Sequence, residues 1–392
     1  NEELYNQITL GDSYDLVCPS EYMIMKMMEE DMLTPYSDGF YDKNVEENYY
    51  SKNVSPYIND VFKELEFGGS TLDKYAAGYM LGTLGIVYNP EEVSEEEAAH
   101  WDILLNDKFR KKITIKDSVR DAFFAGVSIY YYDEITKESF IAKDNYNERL
   151  TRKVNSTDKR TVDGVEKILS KIKDNVYAFE TDSGKADLVT GKVIANQQWS
   201  GDAVYTLDQA EEEGTILCYS VPEEASNIWF DGWVMLKDSV EGDEDKRLAA
   251  EAFVNYVSME ENAIRNMMYI GYTSAISGDL VFQYADWCYG ADVEAAEEEG
   301  EELIEYDVNY FFAKEDGELS DEIEGESGED EKGDYVITAY ADQANRQLFS
   351  QYPPLEVMER CAVMAFFDKE DNAYINRMWT NVRCFDLNSL FD

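Results

Sequence analysis

A single histidine, His100, occurs among 392 residues. One imidazole rules out a metal site built on two histidines. It also argues against a histidine-based triad, since the lone His100 lies shortly after the run Glu95-Glu96-Glu97. Basic side chains are scarce as well: 34 Lys and Arg stand against 83 Asp and Glu, for a net charge of −49. Phosphate backbones are bound by clustered Lys and Arg, so nucleic acid is excluded as a partner. No apolar run reaches the roughly 18 residues that a membrane-spanning helix needs, and no signal-peptide pattern is present. The five cysteines, Cys18, Cys218, Cys288, Cys361 and Cys384, form no CxxC pair and match no zinc spacing. Their odd number leaves at least one thiol free unless it bonds to another chain.

What is present is enough apolar surface for two cored domains: 44% of the residues are hydrophobic. The acidity favours cationic ligands at long range and repels anions. One segment concentrates it. Asp292 to Asp334 holds 20 Asp and Glu against two Lys, and like-charge blocks are usually solvated, so a flexible insertion is expected there.

Strand and helix signals alternate along the chain, the pattern of an α/β fold. Tyr14 to Cys18 reads as a strand, Pro19-Ser20 as a turn and helix cap, and Glu21 to Leu33 as a helix. Gly78 to Tyr88 reads as a buried strand that ends at Asn89-Pro90. Ile113 to Ile115 is a strand, and a helix starts around Asp117. The polar stretch 136–163 reads as an excursion or a helix pair. Leu248 to Met268 is amphipathic, and Leu355 to Val382 returns to helical periodicity.

The segment Asn227-Ile228-Trp229-Phe230-Asp231 sets an indole and a carboxylate two positions apart. In a strand such residues share a face. An aromatic surface beside a carboxylate suits a cation with an apolar body, because the ring attracts the charge and the carboxylate pairs with it. A second tryptophan lies in Trp199-Ser200-Gly201-Asp202-Ala203. The two segments suggest a box for an organic amine.

The order of these motifs resembles that of the periplasmic spermidine/putrescine-binding proteins, the substrate-binding components of polyamine ABC importers. The resemblance rests on Asn1-Glu2-Glu3-Leu4-Tyr5, Tyr14 to Tyr22, Gly82 to Asn89, Asp117-Ser118-Val119-Arg120-Asp121-Ala122-Phe123, the two tryptophan segments and Ile270-Gly271-Tyr272. It implies a type II periplasmic-binding-protein fold: two discontinuous α/β lobes with a ligand cleft between them. Lobe 1 is expected at 1–83 and 230–280, and lobe 2 at 84–229 and 281–392. The segments 136–163 and 292–334 look like additions. By the same resemblance Asp231 would pair with a ligand ammonium, and Trp229 and Trp199 would stack on the methylene chain. Tyr22 and Tyr272 would complete the aromatic wall, Ser20 would hydrogen-bond, and Asp121 would bind another amine.

There are departures. Ser118 stands where some family members carry a second acidic residue, so that contact is weaker or passes to Asp117. The family's first strand and ligand loop are expected to be missing from this chain, and its glutamine contact near the C-terminus has no counterpart around Ala362 to Met364.

The function expected is capture of putrescine or spermidine and delivery to a membrane permease, by a monomer without cofactor, metal or catalytic residue. Its expected location is the periplasm or cell surface, with a lipoprotein anchor or permease fusion. The alternatives are the same fold binding another solute (thiamine, a metal ion or a sugar) and a carboxylate-based glycosidase.

Overall fold

The computed structural model describes residues 1–313 and 335–384. The chain is mixed α/β and divides into two compact units, the first 1–81 with 230–344 and the second 82–229 with 345–392. Against the expected boundaries, the first crossing falls at 81/82 and the second at 229/230, but residues 281–344 belong to the first unit and not the second.

In the first unit the C-terminal half of strand Ser226–Leu236 is flanked by two short antiparallel strands. Leu16 and Val17 pair with Met235 and Val234 on one side, and Leu33 and Thr34 with Leu236 and Met235 on the other. The start of the long strand Ala76–Tyr88 pairs with Thr273–Ser274. Helix Glu21–Glu29 buries Met23, Ile24, Met25, Met27 and Met28. Each such side chain contributes about 1.5–3 kcal/mol of burial, which fixes the helix and the turn that precedes it.

Over residues 292–313 of the acidic segment the expectation of a flexible insertion fails. Among its described residues, Val293–Glu299 is a helix and Leu303–Asp307 pairs antiparallel with Val336–Tyr340. Tyr306, Val308, Phe311 and Phe312 are buried. Phe282, Phe312 and Tyr335 pack ring on ring, and Ser55 Oγ donates to the Phe311 carbonyl at 2.8 Å. The carboxylates between these apolar residues face water while the rings fill a core. Residues 314–334 lie outside the described residues.

In the second unit the other half of Ala76–Tyr88 pairs antiparallel with Ala195–Trp199 and with Cys218–Ser220. Ile113–Lys116 joins in parallel, between Ala195–Trp199 and Ala178–Glu180. Helix Val119–Ile135 packs against helix Lys159–Asn175, and that helix against Lys369–Arg383. The stretch 136–163 is not an excursion: helix Tyr146–Val154 contributes Leu150 and Val154 to this unit's core. The C-terminal stretch is not helical throughout either. Cys361–Val363 is a buried strand parallel to Ser226–Ile228, a type of short apolar run that periodicity cannot tell from a helix.

Candidate functional site

In the first unit the turn after Val17 brings Ser20 beside Asp231, and the two residues form an antiparallel bridge. Ser20 occupies the cap position of helix Glu21–Glu29, but its hydroxyl does not cap the helix. It donates instead to Asp231 Oδ1 at 2.7 Å, and accepts from Asn1 Nδ2 at 3.0 Å. Asp231 is half-buried. Burial pushes its carboxyl above the usual carboxylate range, against the Ser20 hydrogen bond and the positive charge of the Asn1 amino group, which favour the ionised form. Among the described residues no Lys or Arg side chain forms an ion pair with it. The half-buried carboxylate therefore has a hydroxyl partner and no side-chain cation, an arrangement that favours an incoming positive charge.

Two neighbours of Asp231 carried no signal in the sequence. Burial and the Asp231 charge raise the Cys18 thiol well above its ordinary value, and burial, Cys18 and Asp231 raise the Tyr79 phenol. The Tyr79 ring packs against Trp233 at 5.2 Å between centroids. Tyr22 points its hydroxyl to Glu2 Oε1 at 3.0 Å. Tyr272 is half-buried and follows Gly271, whose positive φ of 84° ends helix Glu260–Ile270.

The second unit carries the other expected residues. Ser118 caps helix Val119–Ile135 by accepting from the Asp121 amide at 3.4 Å. Asp121, one turn in, is buried. Burial raises its pKa, opposed by Ser118, by Trp199 and by the charges of Lys116 and Arg120. Trp199 Nε1 donates to Asp121 Oδ1 at 3.1 Å, and Gln197 Nε2 donates to the Asp121 carbonyl at 3.2 Å. The carboxylate is thus oriented by the indole, and the indole by the carboxylate. Asp117 is engaged elsewhere, in an ion pair with Arg383 at 2.7 Å.

Lys116 is the residue that sequence reasoning missed. Only 1% of its side chain is exposed, and its ammonium lies 4.5 Å from the Trp199 ring centroid. It donates to the Thr181 carbonyl at 2.9 Å and pairs with Asp202 at 3.4 Å and Glu180 at 3.9 Å. Lys185 pairs with the other oxygen of Asp202 at 3.2 Å. Trp199 therefore already has a cation of its own chain near its ring. A lysine in a four-residue strand reads as an edge charge, so only the fold reveals its burial.

Trp229 retains 8% exposure. Its indole lies over Gly82, where an added Cβ would come within 2.6 Å of the ring, and its Nε1 reaches the Thr83 carbonyl at 3.4 Å. The close approach explains the glycine at this point of the long strand. Strand Ser226–Leu236 carries both Trp229 and Asp231, and the boundary between the units falls between them, at 229/230.

This chain belongs to the bacterial extracellular solute-binding protein family, whose pattern matches residues 3–278. Among curated relatives it is 24% identical over 280 residues to the spermidine/putrescine-binding periplasmic protein 1 of Haemophilus influenzae, covering 70% of this chain and 66% of the relative. It thus spans just under two thirds of that relative's length. Two solved structures share the fold. The spermidine/putrescine ABC transporter substrate-binding protein PotD of Streptococcus pneumoniae gives a TM-score of 0.60 at 24% identity, covering 97% of this chain and 87% of that one. A putative spermidine/putrescine ABC transporter protein of Listeria monocytogenes gives 0.64 at 20% identity, covering 98% and 88%. The fold is the type II periplasmic-binding-protein fold, built here from two discontinuous α/β units.

Proposed function

We propose that this protein captures a linear polyamine, putrescine or spermidine, and hands it to the membrane permease of an ABC importer. The observation that carries the reading is Asp231, a half-buried carboxylate with a serine hydroxyl on one oxygen and no side-chain ion-pair partner among the described residues. Its ligand partner is an ammonium, held by charge and hydrogen bonding together. In the second unit Asp121 takes another amine, and Trp199 offers indole surface to the methylenes. Trp229, Tyr22 and Tyr272 supply further aromatic surface, Ser20 orients Asp231, and Ser118 holds the start of the helix that carries Asp121.

The names of the relatives support this ligand class. The role proposed is capture and not catalysis, by a monomer outside the cytoplasmic membrane. Among the described residues no helix is long and apolar enough to cross a membrane, so retention at the cell surface would rest on a lipid anchor or a permease fusion.

Calorimetry and thermal shift with putrescine, spermidine and spermine test the reading. Binding of at least one supports it. A response to thiamine or a sugar, with none to the amines, moves the function to another solute of the same fold.

A further inference from the structure

The second unit holds an open surface groove of about 490 Å³ whose lining is opposite in sign to the net charge of the molecule. In a chain of net charge −49 it gathers Lys137, Lys143, Arg149, Arg152 and Lys153 around one carboxylate, Glu134. The volume falls within the range of small-ligand sites, about 300–1,000 Å³.

Three features set this apart from a solvated helix face. Arg149, Arg152 and Lys153 stand at i, i+3 and i+4 of helix Tyr146–Val154, where like charges repel and weaken the helix. Arg149 is held in place by the protein itself: its guanidinium stacks 4.0 Å from the Phe140 ring centroid and donates from Nη1 to the Phe140 carbonyl at 2.8 Å. That leaves a rigid, oriented cation with further N–H donors. Two of the remaining cations are balanced, Arg152 by Glu148 at 2.5 Å and Lys153 by Glu134 at 2.9 Å. Lys137 and Lys143 have no ion-pair partner among the described residues.

We propose that this groove is a second binding site, for a phosphate-bearing anion. A planar guanidinium fork with lysine point charges beside it suits the several oxygens of a phosphate. The same chemistry belongs to a phosphorylated solute and to an anionic phospholipid headgroup. On a protein this acidic, an anionic bilayer would be repelled everywhere except at such a patch. The site is independent of the polyamine reading, because its charge excludes polyamines.

The test uses the full chain in low salt, with pyrophosphate in a calorimeter and with phosphatidylglycerol vesicles in co-sedimentation, against phosphatidylcholine vesicles as control. The comparison protein is the double variant Lys137→Ala/Lys143→Ala, both exposed positions, checked by circular dichroism and melting. Arg149→Lys, which keeps the charge but loses the fork, is the second variant. The expected result is binding of pyrophosphate, of anionic vesicles or of both, weakened about tenfold or more in the double variant, reduced in Arg149→Lys, and screened by added salt. Pyrophosphate binding assigns a soluble ligand, and vesicle binding alone assigns a headgroup. Failure of the wild-type chain to bind either probe, or equal binding by the double variant, overturns the proposal.

Discussion

The Trp199 indole N–H donates to Asp121 Oδ1 at 3.1 Å, so an aromatic surface and a buried carboxylate orient each other within one unit. Asp121→Asn keeps an oxygen for the indole but removes the charge. A hydrogen bond to a charged group is worth about 1.5–3 kcal/mol, so this variant should bind polyamine about tenfold more weakly or worse. Calorimetry measures the affinity, and an unchanged melting temperature would show that the loss lies in binding.

Lys116 is the counter-charge of a buried cluster, with Asp202 at 3.4 Å and Glu180 at 3.9 Å. Lys116→Met leaves Glu180 facing an apolar chain. Removing one partner of a buried pair costs about 3–5 kcal/mol. Urea denaturation should show a loss of that order, a large share of a domain's total stability.

Gly82 has no room for a methyl group, because the Trp229 ring would lie 2.6 Å from it and Ser200 Oγ would also be in contact. Gly82→Ala must displace the indole or the serine. Overpacking of this kind costs about 1–3 kcal/mol. The expected outcome is a lower melting temperature together with altered tryptophan emission.

His100 gives the chain a pH-dependent contact. Its Nδ1 lies 3.0 Å from Glu224 Oε2, and the same carboxylate accepts from the Trp101 amide at 2.8 Å. The hydrogen bond and charge of Glu224 raise the histidine's pKa, against a smaller lowering by burial. A group whose folded pKa is raised stabilises the fold fully below its unfolded value, about 6.5, and loses that contribution as pH rises through the folded value. His100→Gln should therefore lower stability most at mildly acidic pH. The gap to the wild type should narrow above neutrality, as read from denaturation curves at several pH values.

Much of the architecture was legible in the residues, and the failures have physical causes. The strand, turn and helix around Ser20 were readable from short apolar runs and a cap residue. The cap's hydroxyl was not, because its partner Asp231 lies 211 positions away. The expected helix over 248–268 is two helices, Glu244–Val257 and Glu260–Ile270. Its break at Ser258-Met259 follows the weak helix formers Asn255-Tyr256-Val257 and carries neither Gly nor Pro to announce it. The described part of the acidic segment, 292–313, was misjudged because charge dominates its composition. Tyr306, Val308, Phe311 and Phe312 find their core beside a strand pairing, Leu303–Asp307 with Val336–Tyr340, that no local signal announces. Of the candidate site, Asp121, Trp199 and Asp231 were readable as residue types in order, while Lys116, Cys18 and Tyr79 became neighbours only through the fold.

The central claim is that Asp231 receives a ligand ammonium. Titrating the wild-type chain and Asp231→Asn with putrescine and spermidine in a calorimeter tests it most directly. The account predicts binding by the wild type and a loss of about 2–5 kcal/mol in the variant, enough to abolish most of the heat. No heat from the wild type with either amine, or equal affinities in the two proteins, would contradict it.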